Sequence, residues 1–216
     1  MHIESSDVIK AIINAESGSV TEGNVGAGTG TTCFGWKGGI GTSSRKLPKS
    51  LGGYTVGVLV QTNFGGNLQI SGLPAGQLLK KFSFRDALQN ADGSCMMIIA
   101  TDAPIIDRNL QRMAQRAMMG LAKTGGIASN GSGDYVIAFS TAENLRIKHN
   151  KPDLALDSLN LLNNNDMSPL FMATIEATEE AIINSLFAAE SMTGKDGNTS
   201  EKLPIDKILN WLEIKK

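Results

Sequence analysis

Histidine is almost missing from this chain of 216 residues: His2 and His149 are the two present, far apart and in terminal or polar surroundings. A histidine-based catalytic triad and a zinc site are both excluded as readings. Cysteine is equally scarce. Cys33 and Cys95 give no disulfide framework, and each sits beside apolar residues that suit a buried, reduced thiol and a reducing compartment. Neither sign of charge is in excess, with 20 basic and 21 acidic residues and a net charge of -1, so there is no electrostatic footprint for nucleic acid or an anionic membrane. No apolar run approaches the roughly 18 residues that a bilayer span needs. The opening Met-His-Ile-Glu-Ser-Ser-Asp has neither the basic nor the apolar region of a secretory signal. The expectation is a cytoplasmic protein without cofactor or metal. With 41% apolar residues, the length supports one domain, 1–216, around one sizeable core.

Glycine, by contrast, is abundant: 24 residues, clustered between Gly18 and Gly76, which implies tight turns and close backbone approach. The loop Thr21–Gly30 invites comparison with a dinucleotide-binding fingerprint. It fails that comparison, because position 31 is threonine and Thr31–Trp36 reads as strand rather than helix. Ahead of the loop, Ser6 as N-cap with Val8, Ile9, Ile12 and Ile13 at helical spacing predicts a short amphipathic helix to Ala15. Beyond it, Thr31–Trp36, Gly39–Arg45, Tyr54–Thr62 and Asn67–Ser71 have the pattern of an antiparallel meander, with Tyr54–Thr62 as a central strand. Asn63 follows at that strand's end. It either faces a cleft or satisfies a turn before Phe64-Gly65-Gly66.

Downstream, Leu110, Met113, Ala114, Ala117, Met118 and Leu121 predict a core-facing helix over Asp107–Thr124, stopped by Gly125-Gly126. Tyr135–Ser140 reads as an apolar strand, with Ser132 and Asp134 at its entrance in a Gly-Ser-Gly-Asp sequence that is also a generic turn. Residues 143–165 are polar and irregular. Ser168-Pro169 supplies an N-cap and first-turn proline for a long helix to Ser191, and Pro204–Ile214 a short final one. Strands first, then helix, strand and helix imply a mixed sheet layered with helices, an α/β fold.

The stretch Asp92–Asp102 carries the most specific chemistry. A loop-like run, Phe82–Asp92, leads to Gly93-Ser94, and Met96–Ala100 is a short apolar run of the kind that forms a buried strand. Cleavage of the peptide bond before Ser94 would make that residue a chain terminus with a hydroxyl and an α-amine together. The amine, whose pKa lies near neutrality, can take the hydroxyl proton without a histidine. The same residues also make an ordinary turn entering a strand, and local sequence leaves both readings open.

Six segments in order bear a resemblance to a known family: Gly23–Gly30, Lys37–Arg45, Val58–Gly65, Gly93-Ser94 with Ile99–Pro104, Gly131–Tyr135 with Ala138–Ala142, and Asn184–Ala189 with Met192–Gly197. Jointly they resemble the DmpA family of L-aminopeptidase/D-esterases and β-peptidyl aminopeptidases. The resemblance implies an N-terminal-nucleophile-like αββα sandwich that cuts itself between Gly93 and Ser94, giving parts 1–93 and 94–216 that stay together. It further implies that Ser94 is nucleophile and base, and that Asn63 lines the oxyanion hole. Ser132 would hydrogen-bond the nucleophile and its amine, and Asp134 would orient that network. The implied substrate is a short peptide, amino-acid amide or ester with a free amino end, and the implied assembly a homo-oligomer.

Family members carry a substantial segment ahead of the helix at Ser6, including residues that bind the substrate's amine. The sequence shows no counterpart, so apolar sheet surface and an open pocket are expected. Two alternatives follow. One is a non-catalytic member or assembly subunit of the same fold. The other is acyl transfer, as in the ornithine acetyltransferases of similar fold, against which Ser94 argues because those use threonine.

Overall fold

The computed structural model describes residues 3–85, 93–147 and 158–214. The chain opens with helix α1 (Ser5–Ile13). A glycine-rich loop then leads into β1 (Thr32–Cys33) and β2 (Trp36–Lys37), and on into β3 (Ile40–Lys46), β4 (Thr55–Asn63) and the single-turn α2 (Ala75–Leu78). The second half comprises β5 (Ser94–Thr101), α3 (Asp107–Lys123), β6 (Tyr135–Ser140), α4 (Ser168–Phe187), the short pair β7 (Met192–Thr193) and β8 (Thr199–Ser200), and α5 (Ile205–Ile214).

Four strands form the main sheet in the order β3-β4-β5-β6. The first two pairings are antiparallel and the last is parallel, because β5 reaches β6 through the crossover helix α3. Alternation then decides which face is covered. In β4, Val56, Val58, Val60 and Thr62 point inward; in β5, Cys95, Met97, Ile99 and Thr101 do. Both sets meet the helical layer of α3 and α4, whose Met113, Ala117, Leu121, Leu170, Ala177, Ile182 and Leu186 complete the core. α4 lies across β3 and β4 and against α3, so it is buried on several sides, and Thr174 and Thr178 are inside with it. Each of those hydroxyls donates to the carbonyl four residues back, at 2.7 Å, which satisfies it without another partner.

On the opposite face the loop before β3 touches one end of the sheet, Ala27 accepting from the Gln61 amide and Glu22 from the Thr42 hydroxyl, and apolar residues lie beside it. Leu59, Ile98 and Ile137 lie in one row across β4, β5 and β6, and Gly57, Ala100 and Phe139 in the next. Ile137 and Phe139 are 54% and 43% exposed. The expected apolar sheet surface is therefore present. No helix among the described residues is long and apolar enough to cross a membrane.

The structure corrects four local expectations. Thr31–Trp36 is a hairpin rather than one strand, since Phe34 and Gly35 both adopt positive φ and turn the chain back on itself. Asn67–Ser71 is not a strand. Leu68 and Ile70 are buried as alternation demands, but the N–H groups of Asn67 and Gln69 donate to Gly125 and Thr124 in the turn after α3. α4 ends at Phe187, short of Ser191, and it begins after Met167, so Ser168 is its first residue rather than its cap. Beyond that end, the Asn24 side chain accepts from the Glu190 N–H at 3.0 Å and donates to the Glu190 carbonyl at 2.8 Å. Lastly, α1 is capped by Glu4 in a reciprocal pair with Asp7, not by Ser6, and none of its residues is buried. Of the run Phe82–Asp92, residues 86–92 lie outside the described residues, as do His2 and His149.

Candidate active site

Topology alone brings three strand ends together. β4 ends at Asn63, its antiparallel neighbour β5 starts at Ser94, and Asn63 and Ser94 are directly paired. β6 runs parallel to β5 and starts beside Met96, so the loop before it, with Ser132 and Asp134, arrives at the same edge. All four site residues foreseen from sequence are thus at one end of one sheet.

Gly93 is pressed against the end of β4. A Cβ there would stand 2.3 Å from the Asn63 carbonyl oxygen and 2.5 Å from the Phe64 Cα, so no larger residue fits without moving backbone. That contact fixes the peptide preceding Ser94. The half-buried Ser94 hydroxyl donates to the Gly93 carbonyl oxygen at 2.7 Å and accepts from the Gly133 N–H at 3.2 Å. The nucleophile candidate and the carbonyl it would have to attack are therefore in contact.

Asp134 joins the two strand entrances. One carboxylate oxygen accepts from the Cys95 N–H at 2.8 Å and the other from the Ser132 hydroxyl at 2.7 Å. Because Ser132 gives its proton to Asp134, its lone pairs remain for a donor such as an α-ammonium. On the other side, the Thr32 N–H donates to Asn63 Oδ1 at 3.3 Å. That leaves the Asn63 amide NH₂ as the end free to donate. Among the described residues no direct hydrogen bond links the Ser94 hydroxyl to Ser132 or Asn63.

The thiols beneath this cluster are poor competitors. Burial, slightly relieved by a hydrogen bond from Thr62, pushes the Cys33 thiol up to about 12. Burial chiefly, then the proximity of Cys33 and of Asp134, raises the Cys95 thiol well above its usual value. Neither is a thiolate near neutrality. Both are free and buried. Among the described residues no group of three or more His, Cys, Asp or Glu could hold a metal ion.

Sequence reasoning missed the two backbone donors, Thr32 and Gly133, since a main-chain N–H leaves no mark in residue type. It also missed Lys37, which is 2% exposed and donates to the carbonyls of Gly28, Thr31 and Gly38. A run of glycines closing around one lysine was the available signal. An open cleft of about 360 Å³ borders this region, lined by Thr29–Thr32, Lys37 and parts of 192–200.

Comparison with known proteins gives one consistent answer. The sequence profile of peptidase family S58 matches residues 1–200. A β-peptidyl aminopeptidase, BapA, of Sphingosinicella microcystinivorans is 41% identical over 217 residues, covering 94% of this chain and 54% of that protein. Among solved structures, the PH0078 protein of Pyrococcus horikoshii superposes with a TM-score of 0.85 at 46% identity, covering 98% of this chain and 57% of that one. An L-aminopeptidase D-Ala-esterase/amidase of Ochrobactrum anthropi, described as a prototype of the serine aminopeptidases and a variant of the Ntn hydrolase fold, gives 0.83 at 36% identity over 96% and 56%. The chain spans about half the length of the curated relatives it matches. Its fold is of the N-terminal-nucleophile hydrolase type, of which the described residues form one sheet and its helical layer.

Proposed function

The chain belongs to peptidase family S58, and on that footing we propose that it carries the nucleophile of a self-processing serine aminopeptidase. The observation that bears most weight is the contact between the Ser94 hydroxyl and the Gly93 carbonyl at 2.7 Å, in a peptide held by its packing on Asn63 and Phe64. In the first phase, Ser94 Oγ attacks the Gly93 carbonyl carbon. The Oγ proton passes to the Ser94 nitrogen, the C–N bond breaks, Gly93 becomes an ester on Oγ, and the former amide nitrogen becomes the Ser94 amine. Water then opens the ester, leaving a Gly93 carboxylate and a free N-terminal serine in parts 1–93 and 94–216.

In the second phase the Ser94 amine takes the Oγ proton and Oγ attacks the amide or ester carbonyl of a substrate with a free amino end. The tetrahedral oxyanion is met by the Asn63 amide NH₂, the end that the bond from Thr32 to Oδ1 leaves for donation. The Ser94 ammonium returns its proton to the leaving amine, and water resolves the acyl-enzyme. Ser132 accepts from the ammonium and Asp134 offsets its charge. The relatives' names support short peptides, β-peptides included, and amino-acid amides or esters as substrates. Free, buried cysteines support a cytoplasmic site of action, and the family resemblance supports assembly into a homo-oligomer.

Intact mass measurement of the purified protein tests the reading. Two chains are expected, the second beginning at Ser94, with one unbroken chain for Ser94→Ala. An unbroken wild-type chain that hydrolyses aminoacyl p-nitroanilides at full rate overturns it. An unbroken wild-type chain with no turnover favours the second reading, a non-catalytic member of the fold.

A further inference from the structure

We infer that Lys37 is a positioning residue for this reaction, holding the peptide group between Thr31 and Thr32 so that the Asn63 amide donates toward Ser94; the inference rests on the function proposed above. Lys37 is almost fully buried, and its ammonium meets three carbonyl oxygens: Gly28 at 2.9 Å, Thr31 at 2.8 Å and Gly38 at 2.5 Å. All three of its donors are therefore satisfied by backbone. Among the described residues no carboxylate pairs with it. A buried cation without a counter-ion is expensive to desolvate, and burial accordingly pulls this ammonium below its ordinary pKa. An apolar side chain of similar length would avoid that cost but leave these carbonyls without their ammonium donor, so the charge holds three backbone groups in one arrangement.

The geometry concerns one planar group. The Thr31 carbonyl and the Thr32 N–H belong to the same trans peptide, so fixing the oxygen fixes the direction of the hydrogen on the far side. Lys37 is the shorter of two donors to the oxygen, at 2.8 Å against 3.4 Å for the Gly38 N–H, and the hydrogen is bonded to Asn63 Oδ1 at 3.3 Å. Contact with an ammonium also polarises the peptide and strengthens the N–H as a donor. Asn63 is exposed and stands at a strand end, so nothing in the core dictates which end of its amide faces Ser94. With Oδ1 taken by Thr32, the NH₂ is turned to the oxyanion. Reversed, the amide would present a carbonyl to a developing negative charge. Lys37 thus acts through two links, peptide 31–32 and Asn63, without touching the substrate.

The test uses the whole protein with Lys37→Met, Asn63→Ala and the two combined. Rates on an aminoacyl p-nitroanilide are normalised to the amount of chain beginning at Ser94, with kcat and KM read separately. Loss of a single oxyanion donor lowers kcat by roughly 10²–10³, and Lys37→Met is expected to lower kcat by at least about tenfold with KM within about twofold. In the Asn63→Ala background it should add less than about twofold, since the residue it positions is gone. Multiplying losses in the double variant, or a Lys37→Met enzyme with wild-type kcat, overturn the inference. Should Lys37→Met fail to fold, Thr32→Pro removes the N–H that bonds Asn63 while also fixing φ at position 32 and restricting Thr31, so its kcat is read against Thr32→Ala, which keeps the N–H. The same kcat loss supports the relay, and an unchanged kcat ends it. Hydrolysis by Ser94→Ala at the wild-type rate would instead refute the proposed function itself, whatever Lys37 does.

Discussion

At the scale of single residues, the sequence placed each candidate at the end or entrance of a strand but did not show its company. Ser94 reads as a strand mouth, Asn63 as a strand end, and Ser132 and Asp134 as a loop before a strand; each of those placements holds. What residue type could not convey is that Asp134 binds the backbone N–H of the residue after Ser94, or that Thr32 and Gly133 contribute main-chain donors. The buried thiols carry a prediction at this scale. Cys33 is fully buried with its pKa raised from 9.0 to about 12, so between those values the unfolded chain has lost a proton that the folded chain keeps. Stability is then fully present below about pH 9 and falls as pH rises, by about 1.4 kcal/mol per pH unit for one thiol. Lys37 acts with opposite sign up to the ordinary lysine value of 10.5, since its folded pKa is lowered. Comparing wild type with Cys33→Ala cancels that contribution. Urea unfolding at pH 7 should show the variant to be the less stable, and the gap should narrow as pH rises from 9 to 11. A gap independent of pH over that range would mean the thiol is solvated in the fold.

At the scale of elements, what was legible was periodicity, and what was not was tertiary partnership. β3, β4, β5, α3 and β6 stand where alternation and helical spacing put them, within a residue or two. Asn67–Ser71 has the alternation of a strand but finds a turn as its partner, and α4 stops early as Asn24 takes the backbone of Glu190. Neither event is written in local composition. The parallel β5–α3–β6 crossover is what delivers Ser132 and Asp134 to Ser94; the mixed-sheet reading agrees with it but did not say which strands pair. The seating of α4 on β3 supplies the test. A Cβ on Gly41 would lie 2.0 Å from the Ala181 carbonyl oxygen and 2.6 Å from the Ser185 nitrogen, both backbone of α4. Gly41→Ala must push that helix off the sheet, at a cost of about 3 kcal/mol. Gly57→Ala, on the neighbouring strand with nothing within 4 Å of its new Cβ, should be neutral or stabilising by about 0.5 kcal/mol. Denaturant midpoints for the pair measure the difference, and equal midpoints would contradict the close helix-to-strand seating.

At the scale of the whole sheet, the long helices of the described residues pack on one side of it. Its inner side is sealed by α3 and α4, whereas its outer side presents Leu59, Ile98 and Ile137 in one row and Ala100 and Phe139 in the next. A contiguous apolar surface of this kind binds other apolar surfaces, because removing it from water contributes roughly 25 cal/mol per Å². The edge that holds the candidate site adjoins this surface: Ser94 and Met96 lie on the same outer side of β5, and Met96 pairs with Tyr135 at the start of β6. Residues 1–216 on their own should therefore bind a solvatochromic apolar dye strongly and self-associate with rising concentration. Replacing Ile137 and Phe139 by threonine keeps β-propensity and removes most of the exposed apolar area on β6. The double variant should lose at least half of the dye signal and sediment as a smaller species. Its stability should change little, since both side chains project away from the helical layer. Dye binding that survives the two substitutions unchanged would locate the apolar surface elsewhere, with the exposed isoleucines of α1 the next place to look.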